Sequence, residues 1–415
     1  MSYGIKIKHL RVKKNMNQQD LSNGICSISY LSKIENNVVK PNREIIDLLC
    51  EKLGITLHEL QTEEELLLKM KCELTELNYL IRRKETNIVF KFNEILKRYE
   101  ALNSPQANVI KLIFELRITL LSLDRIKLTD IYNRVIENLD YKPNWIEPYY
   151  YMFCGLFHYM IGSLEQALSF YKKAEKCVQT DKEEVYYQLA LVYSRLGNFS
   201  LSTLYLNRAY DIFVQKMDYE LCTSCNLLLG INYRKMGELQ KSKENYFKIT
   251  QNLSPKRDKE TLGKVYHNLG LIYSDEGDST KSIFFYKKSL KVKKADSKIN
   301  TLYVLSREYV KLKDFKSAKK WNELGINSAI KQKSENHLIM FNVLNYEINN
   351  KLNTHDFENY MINVAIPFFE KRQERQTLSE YVHKMAIYYE NIRQYKNSYL
   401  MLKKLTHFKE GETIK

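Results

Sequence analysis

The sequence is short of the residues that punctuate structure: 13 glycines and 6 prolines in 415 residues. That scarcity excludes collagenous and Gly/Pro-rich low-complexity classes and leaves long stretches free of breakers. No run of 18 apolar residues occurs, so no transmembrane helix and no membrane partner is expected. The N-terminus, MSYGIKIKHLRVKKN, is basic but lacks the apolar core of a secretory signal. Cysteines are few and odd in number, at 26, 50, 72, 154, 177, 222 and 225, which with the missing signal implies reduced thiols in a cytoplasm. Catalytic motifs are also lacking. There is no phosphate-cradling GxxxxGK[ST], no GxGxxG and no GxSxG, and His158, His267 and His337 have no HxxxH or HExxH partner. Cys222-Thr223-Ser224-Cys225 has neither a second CxxC at zinc spacing nor a βαβ context, so it reads as buried thiols. The expectation is a protein that is not an enzyme, with no cofactor and no metal.

What is present points to helices. Tyrosine reaches 31 residues, and Leu/Lys/Glu/Tyr-rich stretches with helical periodicity run almost to the end, which predicts an all-α fold. The formal net charge is +16. Residues 1–60 hold nine Lys/Arg against six Asp/Glu, so most of the excess lies further along. It serves either a polyanionic or acidic partner or simply solvated lysines on helix backs.

The most informative stretch is Asn17 to Glu35, NQQDLSNGICSISYLSKIE. Before it, Ile5–Lys14 predicts a first helix with Ile7 and Leu10 inward and Arg11, Lys13 and Lys14 outward. Asn17 suits an N-cap and Asp20 the N3 position, where a carboxylate complements exposed N–H groups. Leu21 and Ile25 face inward, Gly24 supplies the turn and Ser27 caps the next helix. There Leu31 and Ile34 point inward, leaving Ile28, Ser29, Ser32 and Lys33 on the opposite face. Pro41-Asn42 starts a fourth helix, Arg43–Leu53, with Ile45, Ile46, Leu49 and Leu53 inward and Gly54 as its stop. Leu57–Leu60 predicts a short fifth helix. This is the pattern of a helix-turn-helix that lays its second helix in the major groove.

With Gln18, Leu21, Tyr30-Leu31-Ser32-Lys33-Ile34-Glu35, Asn36 and Pro41, the segment resembles the lambda-repressor-like, XRE-type DNA-binding domain. The resemblance implies that Gln18, Asn36 and Arg43 touch phosphates. It implies that Ser27, Ile28, Ser29, Ser32 and Lys33 approach base edges and that Glu35 ties the third helix to its neighbours. Gly24-Ile25-Cys26-Ser27 replaces the commoner Gly-Val-Ser. The small side chains at 27, 29 and 32 suggest that DNA shape carries part of the specificity. The alternative is a fold of this type used only for protein contact.

Glu63–Arg83 is amphipathic, with Leu66, Leu67, Met70, Leu74, Leu77 and Ile81 at three- and four-residue steps. It predicts a linker helix that acts as hinge or dimer contact, or that packs on the next helices. Two further helical pairs are expected in 87–140. From about Tyr149 the chain repeats itself. Leu229, Gly230, Tyr233, Gly237, Lys241, Ser242, Tyr246 and Lys248 recur 40 residues later as Leu269, Gly270, Tyr273, Gly277, Lys281, Ser282, Tyr286 and Lys288. Weaker copies carry Gly155, Gly162, Ala167, Tyr171 and Ala174, then Ala190, Tyr193, Gly197 and Ala209, then Tyr309 and Ala318, and finally Ala386, Tyr389 and Ser398. This is the tetratricopeptide pattern. Small residues let paired helices approach, aromatics fill the gap between them, and the glycine ends the first helix. Such arrays stack into a right-handed superhelix with a concave wall. Amides that both donate and accept suit an extended peptide there. The candidates are Asn226, Asn232 and Asn268, with Tyr187, Tyr303, His267, Arg234 and Arg307 nearby; each serves the wall or a contact between repeats.

The expected division is 1–60 DNA-binding domain, 61–85 linker helix and 86–415 tetratricopeptide domain. A reader of this type followed by such an array resembles the RRNPP group of peptide-pheromone-responsive regulators of Firmicutes (PlcR/NprR-like). The resemblance implies a cytoplasmic quorum-sensing transcription factor and a double-stranded DNA operator. It implies an imported signalling peptide bound in the concave groove, and a homo-oligomer, a dimer, whose geometry the peptide changes. Rap-like relatives imply an alternative, modulation of a phosphorelay response regulator, with Gln106 in the corresponding region. A third reading is constitutive DNA binding with the array serving only to dimerise.

Overall fold

The computed structural model describes residues 3–410 apart from 84, 103, 123, 178–181, 254–257 and 373. Among them every regular element is helical. Contacts divide the chain into two compact units, Met1–Leu228 and Leu229–Lys415.

The first unit opens with α1 (Gly4–Lys13), α2 (Gln18–Ser22), α3 (Ile28–Glu35) and α4 (Arg43–Lys52). Local chemistry fixes their ends. Asn17 and Asp20 form a reciprocal capping box, Ser27 accepts from the Tyr30 N–H at 3.2 Å, and Asn42 accepts from Ile45 at 2.9 Å. Gly24 sits at φ +78° in the turn, a conformation that side chains resist. Ile7, Leu21, Leu31, Ile34, Ile46, Leu49 and Leu53 share one core.

The fifth helix is not short. Thr56 and Glu59 form a second capping box, and from there α5 runs unbroken from Leu57 to Arg82, 26 residues. No glycine or proline interrupts the stretch, so nothing separates the expected short helix from the linker helix. Met70, Leu74, Leu77 and Ile81 are buried along one face. Then follow α6 (Ile88–Arg98), α7 (Pro105–Ser122) and α8 (Arg125–Glu137). The repeats begin with α9 (Glu147–Ile161) and α10 (Leu164–Cys177), then α11 (Lys182–Arg195) and α12 (Phe199–Gln215). The unit boundary falls within α13 (Tyr219–Lys235).

The second unit continues with α14 (Leu239–Asn252), α15 (Lys259–Asp275), α16 (Ser279–Val292), α17 (Ile299–Lys311), α18 (Phe315–Lys331) and α19 (Glu335–Ile348). The next segment is helical from His355 to Lys371 but widens to a π turn at Met361–Ala365. Pro367 lies just beyond, and a proline inside a helix forfeits one backbone donor, which a wide turn accommodates. The last helices are α20 (Arg375–Asn391) and α21 (Tyr395–Glu410).

One device recurs in the repeats. A Cβ on Gly230 would lie 2.4 Å from the Tyr246 ring, one on Gly270 2.4 Å from Tyr286, and one on Gly155 2.7 Å from Tyr171. Each tyrosine is buried against its glycine's backbone. A serine twelve residues after the small residue locks the pair. Ser242 Oγ donates to the Gly230 carbonyl at 2.6 Å, Ser282 to Gly270 at 2.9 Å and Ser202 to Ala190 at 2.7 Å. The left-handed residue that stops a first helix is followed by the cap of the second: Asn198 after Gly197, Asp278 after Gly277 and Asp314 after Lys313.

Candidate nucleic-acid interface and repeat wall

The reader face is set by a polar knot beneath it. Glu35 ends α3 and is buried. Its carboxylate accepts from Arg11 Nε at 2.6 Å and Nη2 at 3.0 Å, and from Gln18 Nε2 at 2.8 Å. Arg11 Nη1 also donates to the Met16 carbonyl at 2.8 Å. The bidentate pair joins α1 to α3, and Gln18 brings in α2. Arg11 therefore turns inward, against the outward placement expected from periodicity, and the Glu35 carboxylate raises its pKa further. A helix position at the margin of the apolar stripe satisfies either orientation, and a buried acid one helix away decides it. Lys52 Nζ donates to the Asn23 carbonyl at 2.7 Å and pins the turn between α2 and α3 to α4.

Above this knot Ser27, Ile28, Ser29 and Lys33 are exposed, and Ser32 is half-buried. Residues 28 and 29 stand one turn from 32 and 33, so the four share one face of α3. Asn36 at the C-cap of α3 and Arg43 in the first turn of α4 are exposed on its flanks. Gln18 is half-buried and its amide N–H is already given to Glu35.

The candidates on the repeats are placed less uniformly. In the first unit Tyr187 is half-buried, and burial pushes its phenol up to about 12. Asn226 is 8% exposed and its amide has no hydrogen-bond partner among the described residues. In the second unit Asn232 is fully enclosed, inside the packing rather than on an open wall. Arg234 is spent on Asp275, Nε to Oδ2 at 2.6 Å and Nη2 to Oδ1 at 3.1 Å. His267 belongs to a chain: Lys293 Nζ lies 3.0 Å from Thr301 Oγ1, and Thr301 Oγ1 lies 3.0 Å from His267 Nδ1. Burial and the neighbouring cations lower His267 to about 3, so the ring is neutral where it meets Thr301. Burial lowers Lys293 to about 8. Tyr303 is buried edge-on to Phe341, and Arg307 lies over the Tyr303 ring at 5.6 Å and 3.4 Å from Glu380. Asn268 is half-buried, with no hydrogen-bond partner among the described residues. Cys222 and Cys225 are buried free thiols, both raised in pKa by burial.

Sequence reasoning missed a second buried polar knot in the first unit. Asn78 of α5 donates to Glu184 of α11 at 3.1 Å and accepts from Arg117 of α7 at 3.2 Å. Arg82 of α5 reaches Glu183 at 3.3 Å, and Lys216 reaches the same carboxylate at 2.6 Å. Glu183 and Glu184 are almost wholly buried, so the long helix is tied to the repeats by charge. The adjacent acids in the first turn of α11 were the available signal, but paired acids at a helix start ordinarily serve its dipole.

A short multi-helical DNA-binding unit with an exposed second helix, followed by small-to-tyrosine helical pairs, defines a helix-turn-helix regulator with tetratricopeptide repeats. Family models agree. A helix-turn-helix model matches residues 7–60, and a tetratricopeptide repeat model matches 183–213 and 263–296. The chain is 31% identical over 400 residues to the transcriptional activator NprA of Geobacillus stearothermophilus, covering 91% of this chain and 95% of that protein. Its fold matches the apo form of the quorum sensor NprR from B. thuringiensis with a TM-score of 0.74, at 18% identity over 84% of this chain and 99% of the other. It also matches NprR in complex with its cognate peptide NprX, TM-score 0.61, at 18% identity over 81% of this chain and 99% of the other. The chain belongs to the NprA-like family of RRNPP-type transcriptional regulators. Among the described residues no helix is long and apolar enough to cross a membrane.

Proposed function

We propose that the chain is a cytoplasmic, peptide-gated transcription factor with no catalytic step of its own. The single observation that carries the reading is the exposed face of α3, with Ser27, Ile28, Ser29 and Lys33 held outward by the buried Arg11–Glu35–Gln18 knot. That face enters a major groove, with Arg43 and Asn36 on the flanking phosphates. Gln18 completes the phosphate set only through whatever hydrogen-bonding capacity Glu35 leaves it. Two copies bind half-sites one helical turn apart, about 34 Å.

The repeats take a short imported signalling peptide along their first helices. Each unit offers its own candidates: Asn226 with Tyr187 in the first, and Asn268 with Tyr303 and Arg307 in the second; neither amide has a hydrogen-bond partner among the described residues, so each suits a peptide backbone. His267 and Arg234 are occupied within the fold and hold that wall in shape. Peptide binding shifts the protein toward the dimer whose spacing fits the operator, because the peptide prefers that assembly. The solved complex of NprR with its cognate peptide supports this reading.

Mobility-shift and footprinting titrations of the full chain on its own upstream DNA, with and without synthetic peptides from neighbouring small reading frames, test it. A two-half-site footprint that weakens steeply with salt and shifts with one peptide is expected. A chain indifferent to duplex DNA at every ionic strength overturns the reading. A footprint unaffected by every peptide leaves a constitutive dimeric binder instead. Dephosphorylation of a purified response regulator would place the chain with the phosphorelay modulators. Gln106 does not favour that outcome, since it is 7% exposed.

A further inference from the structure

Within the first unit a cavity of about 730 Å³ lies between the reader, α5 and α7. Its walls come from the segment after α3 (Asn37, Val39, Lys40, Pro41), from Gln61, Glu64, Glu65 and Lys71 of α5, and from Gln106 and Ile110 of α7, with Trp145 at one side. The size is that of a small-molecule site. None of the DNA or peptide candidates lines it.

Gln106 is more than nine-tenths buried, lines this cavity and has no side-chain hydrogen-bond partner among the described residues. Buried primary amides are ordinarily satisfied, and one left open toward a cavity marks a place for a ligand. Gln106 stands in the first turn of α7, an 18-residue helix whose positive end favours an anion. Ile110, one turn along, is fully buried and lines the same cavity. The same lining carries the carboxylates of Glu64 and Glu65 from α5, and the reader contributes the exposed ammonium of Lys40. Lys71 lies 5.0 Å above the Trp145 ring. Charges of both signs thus line one cavity together with apolar and aromatic surface.

We propose that this cavity is a second ligand site, one that takes a zwitterion with an apolar body: a free α-amino acid or a very short peptide with unblocked ends. The carboxylate sits at the start of α7 with Gln106 and Lys40, the ammonium at Glu64 and Glu65, and the apolar portion between Ile110 and Trp145. Because its walls belong to the reader, to α5 and to α7, an occupant biases the angle at which the reader is held. The site is independent of the signalling-peptide wall, and its occupancy is read without DNA.

The chain has two tryptophans, Trp145 and Trp321, so Trp321→Phe leaves the cavity indole as sole reporter. Fluorescence of this full-length variant is titrated with free L-amino acids and dipeptides and with their N-acetylated and C-amidated forms. A saturable change with at least one unblocked compound, abolished by blocking either end, is expected. Gln106→Leu keeps the side-chain volume and weakens that binding by roughly tenfold, with the ligand-free melt unchanged. Lys40→Ala, at an exposed position, weakens it too and serves if Gln106→Leu does not fold. No saturable change with any unblocked compound at millimolar concentration, equal binding of blocked forms, or parent-like affinity in both variants overturns the proposal.

Discussion

The reader and the second-unit repeats reach rigidity by different chemistry. In the reader an apolar core is reinforced by one buried charge: Glu35 accepts from both Arg11 and Gln18 and so links three helices. The repeats are held by shape, with Tyr246 and Tyr286 pressed on Gly230 and Gly270 and a serine hydroxyl closing each pair. A charge knot is all-or-none, since removing one partner strands the other in a poor solvent for ions. A socket of shape fails by degrees and is repeated, so one damaged pair leaves its neighbours intact.

The largest expected effect breaks the knot. Glu35→Ala leaves Arg11 buried and unpaired, costs about 3–5 kcal/mol and abolishes operator binding; urea denaturation followed by far-UV circular dichroism measures it. Replacing both partners by apolar residues, Glu35→Leu with Arg11→Met, recovers much of the loss, because neither charge then needs solvent. Recovery no better than the single variant would mean that the helices are held by something other than this pair.

The socket comes next. Gly270→Ala should gain up to about 1 kcal/mol from helix propensity. Its methyl group would meet the Tyr286 ring at 2.4 Å, so a net loss of about 1–3 kcal/mol is expected instead. A stabilised variant in the same urea titration would show that the tyrosine moves aside at little cost.

His267 sharpens the comparison, because it places one titratable group inside the shape-held region. Its folded pKa is lowered, to about 3. Below about pH 6.5 the unfolded chain takes up a proton that the folded chain refuses, so stability falls as pH drops from there toward 3. The slope from this group approaches but does not exceed about 1.4 kcal/mol per pH unit. His267→Asn flattens the pH dependence of melting across that window, and an unchanged profile would remove His267 as its source.

The smallest effect on stability belongs to the reader's outer face. Ser29→Ala and Lys33→Ala each change stability by less than about 0.5 kcal/mol. Lys33→Ala lowers operator affinity and relaxes the base preference at the position it meets. Unaltered affinity in both variants would move the DNA-binding surface away from α3.

Much of this was legible because it is local. Asn17, Ser27 and Asn42 cap helices through their own neighbours, and the 40-residue recurrence of Gly230, Ser242 and Tyr246 announces a packing unit. Arg11 was not legible, since its partner lies 24 residues away and the helix period leaves its side ambiguous. The enclosure of Asn232 and the pairing of Arg234 with Asp275 were hidden for the same reason. A side chain on a repeat's first helix faces either ligand or the next helix, and sequence alone does not distinguish them. The Asn78–Arg117–Glu184 knot joins three helices far apart in the chain, beyond the reach of any short pattern.

The unbroken run of α5 has a mechanical consequence. At 26 residues it extends about 39 Å, with Leu60 in the reader's core at one end and Asn78 and Arg82 clamped by acids at the other. Such a rod does not absorb a disturbance; it magnifies it. A pivot of about 10° at the clamp sweeps the far tip through roughly 7 Å on that length, about two base-pair steps of duplex.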